Sequence, residues 1–363
     1  MDRHPRFVVD LNHDGLADIV GFGDAGVYSA LGNGDGTFQA PVFGLGNFGY
    51  DQDWRVDRHP RFLAHLTSSG FADIVGFGED GIWTALGNGD GTFRQPPHSN
   101  PVLHDFGYNQ GWQVDRHPRC MATLTGSGFA DIVGFGNAGV CTALSNGDGT
   151  FPEPNRDPVL ENLGYNQDWR VDKHPRFVVD LNGNGFADIV GFGDAGVWTA
   201  LGNGDGTFIN ANYVQANFGV NQGWRVDRHP RMVVSLNGSA RVDIVGFGDA
   251  GIWTALGGES GGFPVSNFVQ ANFGYGTTVL ALTQHDREVN SRGIWRSTDW
   301  GGNWVKVHDS RPMKQSDNCR GRWAAITWSM QTGDRRSEAY CTSHGRGNRH
   351  FVCTRADFVS SGF

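Results

Sequence analysis

A five-residue phrase, Asp-Arg-His-Pro-Arg, opens at Asp2, Asp57, Asp115 and Asp227, and returns once more as Asp172-Lys173-His174-Pro175-Arg176. Its histidines, His4, His59, His117, His174 and His229, lie 55, 58, 57 and 55 residues apart. So regular a period means one structural unit copied in tandem, and it constrains the fold before any single residue is weighed. Copies that pack on their neighbours make one continuous array, so residues 1–363 are read as a single domain. Residues 1–275 carry five copies of about 55 residues, and residues 276–363 diverge from them. Whatever the unit binds, it is expected to bind several times.

The fourth copy shows the pattern most cleanly. Arg176–Asp180 reads as a short strand, held extended at its start because His174 precedes a proline. The glycine-rich loop Leu181–Gly185 leads to a second strand, Ala187–Phe192, and a third, Gly196–Leu201. Asn203-Gly-Asp-Gly206 supplies the positive-φ residues of a hairpin turn, and the stretch from Thr207 toward Phe218 carries a fourth strand. Four short strands, apolar on both faces and repeated, are the pattern of a β-propeller blade. A ring leaves no long open edge, whereas an open stack of such sheets would. The expectation is an all-β chain, a seven-bladed β-propeller of five regular blades plus two irregular C-terminal ones. The alternative is a six-bladed ring with a tail.

In the divergent part, strands are expected at Val279–Thr283, Gly293–Ser297, Trp304–Val307, Trp323–Ser329, Ala339–Thr342 and Phe351–Arg355. Ser297-Thr-Asp-Trp-Gly-Gly-Asn-Trp304 fits the Asp-box turn, Ser-x-Asp-x-Gly-x-x-Trp, which joins outer strands in propellers of the sialidase kind.

Charge and composition exclude several classes of partner. The formal net charge is −9 and no Lys/Arg cluster stands out, which argues against nucleic acid and anionic membrane. No apolar stretch approaches ~18 residues, so no membrane insertion is expected. The first residues lack the apolar core of a signal peptide, which predicts a cytoplasmic protein or release by a non-classical route. Of five cysteines, Cys120 and Cys141 stand where other copies hold Phe and Trp, and read as small buried apolar residues. Cys319, Cys341 and Cys353 lie in the divergent part, and no Cys/His spacing reads as a zinc site.

Two kinds of site recur. Asp10-Leu-Asn12-His-Asp14-Gly15-Leu16-Ala-Asp18 places oxygen-bearing side chains at alternate positions around a glycine turn, with the Leu16 carbonyl and Asp18 to close the shell. Hard oxygen ligands at this spacing suit Ca²⁺. Asp180, Asn182, Asn184, Phe186 and Asp188 keep the pattern with one carboxylate fewer, so one or two structural calcium sites are expected. The competing reading is a turn held by side-chain-to-backbone hydrogen bonds. It applies to the second, third and fifth copies, which retain only the final aspartate, Asp73, Asp131 or Asp243.

The second site spans the end of one copy and the start of the next. Phe48-Gly-Tyr50-Asp-Gln-Asp-Trp54-Arg-Val-Asp-Arg-His59-Pro-Arg61 returns from Phe106 to Arg119, from Leu163 to Arg176, and from Phe218 to Arg231. Aromatic rings beside His, Arg and Asp suit a shallow pocket that stacks on the C–H face of a sugar and hydrogen-bonds its hydroxyls. Asp24, Glu79, Asn137, Asp194 and Asp249, at matching positions of a neighbouring loop, offer a further acceptor. The alternative is that the rings pack the seam between blades and the His-Pro-Arg groups cap strands.

The phrases Ala17–Val27, Asn33-Gly-Asp-Gly-Thr-Phe38 and Phe48–Arg61, with their copies, closely resemble the mushroom β-propeller lectins of the Psathyrella velutina and Agrocybe aegerita kind, built from integrin-like FG-GAP (VCBS) repeats. The resemblance covers roughly residues 1–275. It implies a multivalent, non-enzymatic lectin with pockets between consecutive blades that recognise terminal non-reducing N-acetylglucosamine on glycans and glycoproteins. It also implies integrin-like calcium loops in some blades. Carried over by position, the pockets are Tyr50/Trp54/His59, Tyr108/Trp112/His117 and Tyr165/Trp169/His174, with Trp224/His229 a fourth that lacks its tyrosine. Two other readings stay open: a sialidase-like glycoside hydrolase, and a calcium-dependent protein-interaction propeller.

Overall fold

The computed structural model describes residues 3–95, 100–154, 157–271 and 273–275, and beyond them six strands: Val279–Thr283, Gly293–Ser297, Val305–His308, Trp328–Thr332, Arg335–Ala339 and Phe351–Thr354. Among the described residues there is no α-helix, and hence none long and apolar enough to cross a membrane. Each repeat folds into one antiparallel sheet whose strands follow chain order. Asp-Ile-Val-Gly-Phe is always the second strand: Asp18–Phe22, Asp73–Phe77, Asp131–Phe135, Asp188–Phe192 and Asp243–Phe247. In the second, third and fourth sheets all five of its residues are buried, which is why the run is continuously apolar rather than alternating.

The first, second, fourth and fifth sheets have four strands and the third has three. In the third, the fourth segment only bridges Val140 to Leu160. Pro152, Pro154 and Pro158 occupy that stretch, and proline donates nothing to a ladder. The expected fourth strand of the fourth copy settles at Asn212–Gln215, with Phe208 only bridging Gly202. Repeated four-stranded antiparallel sheets of this form are consistent with β-propeller blades.

By compactness the chain divides into two units. The first comprises Met1–Val226, Val233–Asp243 and Leu256–Val265, and the second Asp227–Met232, Ile244–Ala255 and Ser266–Phe363. Within the first unit, consecutive sheets bury apolar side chains against each other. Phe22, Phe48 and Trp54 pack with Ile74, Ala85 and Phe93, and Phe77, Phe106 and Trp112 pack with Ile132 and Phe151. Truncating one such buried ring to alanine costs about 3–5 kcal/mol. Hydroxyls also stitch consecutive repeats: Thr84 Oγ1 donates to the Gly149 carbonyl at 2.9 Å and Thr142 Oγ1 to that of Gly206 at 3.0 Å.

In the second unit, Ile252–Ala255 pairs with both its neighbours, Ile244 facing Ala255 and Trp253 facing Phe268. Four of the C-terminal strands form one sheet in the order Val305–His308, Gly293–Ser297, Val279–Thr283, Phe351–Thr354. Trp328–Thr332 and Arg335–Ala339 form a separate hairpin, where the sequence suggested strands at Trp323–Ser329 and Ala339–Thr342. The Asp-box turn, and Cys319 and Cys341, lie outside the described residues.

Candidate functional site

The connection between one sheet and the next is a tight 3₁₀ turn, at Tyr50–Gln52, Tyr108–Gln110, Tyr165–Gln167 and Val220–Gln222. Its geometry begins two residues before the turn, where Phe48 is held at φ 61°. Such a conformation is costly for an aromatic residue, and local bonds hold it. Asn47 Oδ1 accepts from the Phe48 N–H at 2.7 Å and from the Trp54 indole at 3.2 Å. The buried Arg61 guanidinium donates to the Phe48 carbonyl at 2.8 Å and lies over the Phe22 ring of the preceding sheet. Burial lowers its pKa to about 10.

The turn docks on the acceptor loop of its own repeat. Tyr108 N–H donates to the Gly78 carbonyl at 3.0 Å and Asn109 N–H to that of Glu79 at 2.8 Å. Glycine is required at the apex of that loop. Gly81 has φ 140°, and a Cβ there would overlap the Leu103 carbonyl oxygen.

Each repeat's histidine joins this loop through its acceptor. Arg55 N–H donates to His59 Nδ1 at 3.1 Å, so the neutral ring carries its proton on Nε2 and donates it to Glu79 Oε2 at 2.8 Å. The corresponding bonds are His4 to Asp24 at 2.9 Å, His117 to Asn137 at 3.0 Å, His174 to Asp194 at 3.0 Å, and His229 to Asp249 at 2.9 Å. Burial holds the His59 pKa below its ordinary value despite Glu79, and burial with Arg119 and Arg116 does the same for His117. His59 is 5% exposed, whereas the Glu79 side chain is 43% exposed. The histidine is the support, and the carboxylate is the group that faces outward.

The tyrosines group one repeat away from where the sequence placed them. Arg58 lies 4.7 Å from the Tyr108 ring centre, Arg3 4.6 Å from that of Tyr50, Arg116 5.2 Å from Tyr165, and Arg228 5.2 Å from Tyr275. His117 meets Tyr165, and His229 meets Tyr275, edge to face. One cluster is therefore Arg58, His59, Glu79 and Tyr108, drawn from a single repeat. The expected trio of Tyr50, Trp54 and His59 is not a unit, because Arg55 covers the Tyr50 ring at 3.8 Å. In the fourth repeat Lys173 and Val220 replace both the arginine and the tyrosine.

The tryptophans also differ from expectation. Trp54, Trp112, Trp169 and Trp224 are all buried, with ring edges of the first three against Gly76, Gly134 and Gly191. They pack the seam rather than offering a free face, and Trp54, Trp112 and Trp169 back His59, His117 and His174 edge to face. Even so, Trp54, His59 and Glu79 line one cavity of about 790 Å³, together with Arg55, Arg58 and Trp83. Trp83 was missed in the sequence. Its signal was the aromatic residue recurring at Tyr28, Trp198 and Trp253. A second cavity, about 460 Å³, touches His4 and Tyr28.

The calcium-type loops are closed by their own hydrogen bonds. Asp10 accepts from the N–H groups of Asp14 and Gly15, Asn12 from that of Asp14, and Asp14 from that of Leu16. Desolvation, which would raise the Asp10 pKa, is outweighed by the combined bonds from the Gly15, His13 and Asp14 backbone, so it is lowered. Asp180, Asn182 and Asn184 repeat the arrangement, with Phe186 N–H bonded to Asn184. Thr67 with Ser69, and Thr125 with Ser127, make the same turn using hydroxyls in place of carboxylates, so its shape does not depend on a metal. Asp18 and Asp188 are fully buried, with both oxygens accepting backbone N–H groups. Among the described residues no group of three His, Cys, Asp or Glu side chains is placed to hold a metal ion. What remains for a hard cation is the exposed oxygen set of Asp10, Asn12 and Asp14, whose chemistry suits Ca²⁺.

No protein-family model and no curated protein matches this chain. Solved structures do. A lectin of Agrocybe aegerita, described as specifically recognising non-reducing terminal N-acetylglucosamine, is 43% identical, with a TM-score of 0.72 over 76% of this chain and 68% of its own. The Photorhabdus luminescens Tc holotoxin pore matches at 18% identity and a TM-score of 0.47, over 66% of this chain and 10% of its own.

Proposed function

The chain belongs to the lectin family of the Agrocybe aegerita protein, and from that premise we propose that it binds glycans ending in non-reducing N-acetylglucosamine, at several pockets and without catalysis. The observation that carries the reading is the cluster Arg58, His59, Glu79 and Tyr108 beside the cavity of about 790 Å³, with its counterparts in the other repeats. A half-exposed carboxylate held by a buried histidine accepts sugar hydroxyls from a fixed direction. Arginine donors flank it, and aromatic rings meet the apolar face of a pyranose. Each pocket is shallow and weak alone, and several in one chain give avidity on a glycan-covered surface.

Because every carboxylate of this kind has the same partner and the same place in its repeat, no single one is set apart as a nucleophile or acid. This supports binding over a sialidase-like hydrolysis. For calcium, Asp10, Asn12 and Asp14 would supply the oxygens and Asp180, Asn182 and Asn184 a weaker set, with the ion bracing the loop away from the sugar cluster.

A glycan array run with the intact protein, with and without EDTA, tests the proposal. Selective binding to terminal N-acetylglucosamine that survives chelation is expected. Absence of glycan binding in both buffers would refute it.

A further inference from the structure

The repeats differ at the second residue of the third strand, Tyr28, Trp83, Cys141, Trp198 and Trp253, and the first two of these line the two cavities described above. We infer that this residue is the stacking platform that decides which junctions bind sugar, and that the third repeat, which holds cysteine there, contributes no working N-acetylglucosamine site. This rests on the lectin reading above and adds to it which residues set its valency.

Trp83 is half-buried and shares its cavity with Glu79, His59 and Arg58. The other tryptophan of that cavity, Trp54, is 6% exposed and fully engaged in the seam. Trp83 is thus the aromatic surface available to a ligand. One side of its ring is covered by main chain: a Cβ on Gly78 would fall 2.8 Å from Trp83 Cδ1. Tyr28 lies in the same way by Gly23, and Trp198 by Gly193. In the first, fourth and fifth sheets an aromatic residue of the fourth strand props the ring edge-on, in the pairs Tyr28–Phe43, Trp198–Tyr213 and Trp253–Phe268. A ring backed on one side by main chain loses little freedom on binding, which is what a stacking platform requires.

The third repeat departs twice at the same place. Cys141 leaves no ring, although the glycine of the adjoining loop is kept as Gly136. Asn137 replaces the carboxylate, and its Oδ1 is taken by His117. At the second repeat Glu79 gives one oxygen to His59 and keeps the other for a ligand hydroxyl. The amide keeps only an N–H₂ donor. The free acceptor oxygen and the platform are both lost, while Arg116 and Tyr165 remain, as Arg58 and Tyr108 stand in the second repeat.

The test transplants residues between the chain's own repeats, so each variant uses a side chain that the same fold already accommodates. Isothermal titration with methyl N-acetyl-β-D-glucosaminide gives the number of sites per chain for the native protein, for Trp83→Cys, and for Asn137→Asp combined with Cys141→Trp. Trp83→Cys is expected to remove one site, weakening it about tenfold or more, the size of a lost aromatic contact. The double variant is expected to add one. A native site count retained in Trp83→Cys with unchanged affinity overturns the inference while leaving the lectin reading intact. Should the double variant fail to fold, Trp83→Cys decides alone. No binding by the native protein removes the lectin reading itself, and the inference with it.

Discussion

Replacing Asp73 by alanine tests what the last aspartate of each repeat loop is for. Its Oδ2 accepts from Leu66 N–H at 2.9 Å and its Oδ1 from Gly87 N–H at 2.8 Å, and the side chain is fully buried. It ties the first strand's end to the third strand's end across the loop. Alanine leaves two buried N–H donors without a partner, at about 1–3 kcal/mol each. Against that stands the desolvation of the carboxylate, which is strong enough to push the Asp73 pKa above 3.8 despite both bonds. The net loss is therefore set at the lower part of the range, about 2–4 kcal/mol. Asp18 makes the equivalent bonds, to Leu11 and Gly32 N–H at 2.7 Å each. The two variants differ in one respect: the Asp18 loop carries the carboxylates Asp10 and Asp14, whereas the Asp73 loop has His65 and Ser69 at those positions.

Urea denaturation in EDTA is expected to show similar losses for Asp73→Ala and Asp18→Ala, read from the shift in midpoint at constant slope. Adding Ca²⁺ should leave the Asp73→Ala deficit unchanged. A deficit below about 1 kcal/mol for Asp73→Ala would refute the account, since two orphaned buried donors cannot cost so little. A similar loss for Asp18→Ala only when Ca²⁺ is present would show that its role is metal ligation instead.

Thr84→Val keeps the shape of the side chain but removes its bond to Gly149, and is expected to lower stability by about 1 kcal/mol in the same denaturation assay. Asp90, whose pKa is lowered from 3.8 chiefly by the Thr92 hydroxyl and then the Thr92 N–H, has a defined pH signature. A depressed folded pKa gives stability that is present above 3.8 and lost as pH falls through the folded value, so the midpoint gap between native protein and Asp90→Asn should shrink below pH 3.8. Burial raises the thiol pKa of Cys120 to about 12 and that of Cys141 to about 11. Both side chains are half-buried, so each should react with a disulfide reagent at pH 8 more slowly in the native protein than after urea unfolds the chain, and equal rates would contradict the raised pKa values.

Much of the fold was legible because the repeat fixes both the strand count and the turns. Asp-Ile-Val-Gly-Phe could be placed as an interior strand from its unbroken apolar run, and the glycines of Asn203-Gly-Asp-Gly206 adopt the positive φ the turn needs. The fourth strand was less legible. It is the outermost in chain order, the least regular in sequence, and in the third copy proline removes it. The calcium motif was legible as a loop but not as a metal site, because the same loop closes on hydroxyls where carboxylates are absent.

The tyrosines show why adjacency in sequence misled. Tyr108 stands nine residues before His117 and 49 after His59, yet it belongs with His59. Four strands return the chain to the loop it left, and the Tyr108 turn fastens to the carbonyls of Gly78 and Glu79. Distance along the chain says little about a hairpin array, where the last segment of a unit closes on its first. A sequence clue did exist. Lys173 is the one departure from arginine in the five phrases, and Val220 is the one departure from tyrosine in the five turns. Grouped across the boundary, these would be two unrelated changes in two sites. Grouped within a repeat, they are one change: the planar guanidinium and the ring it rests on are lost together, with lysine keeping only the charge.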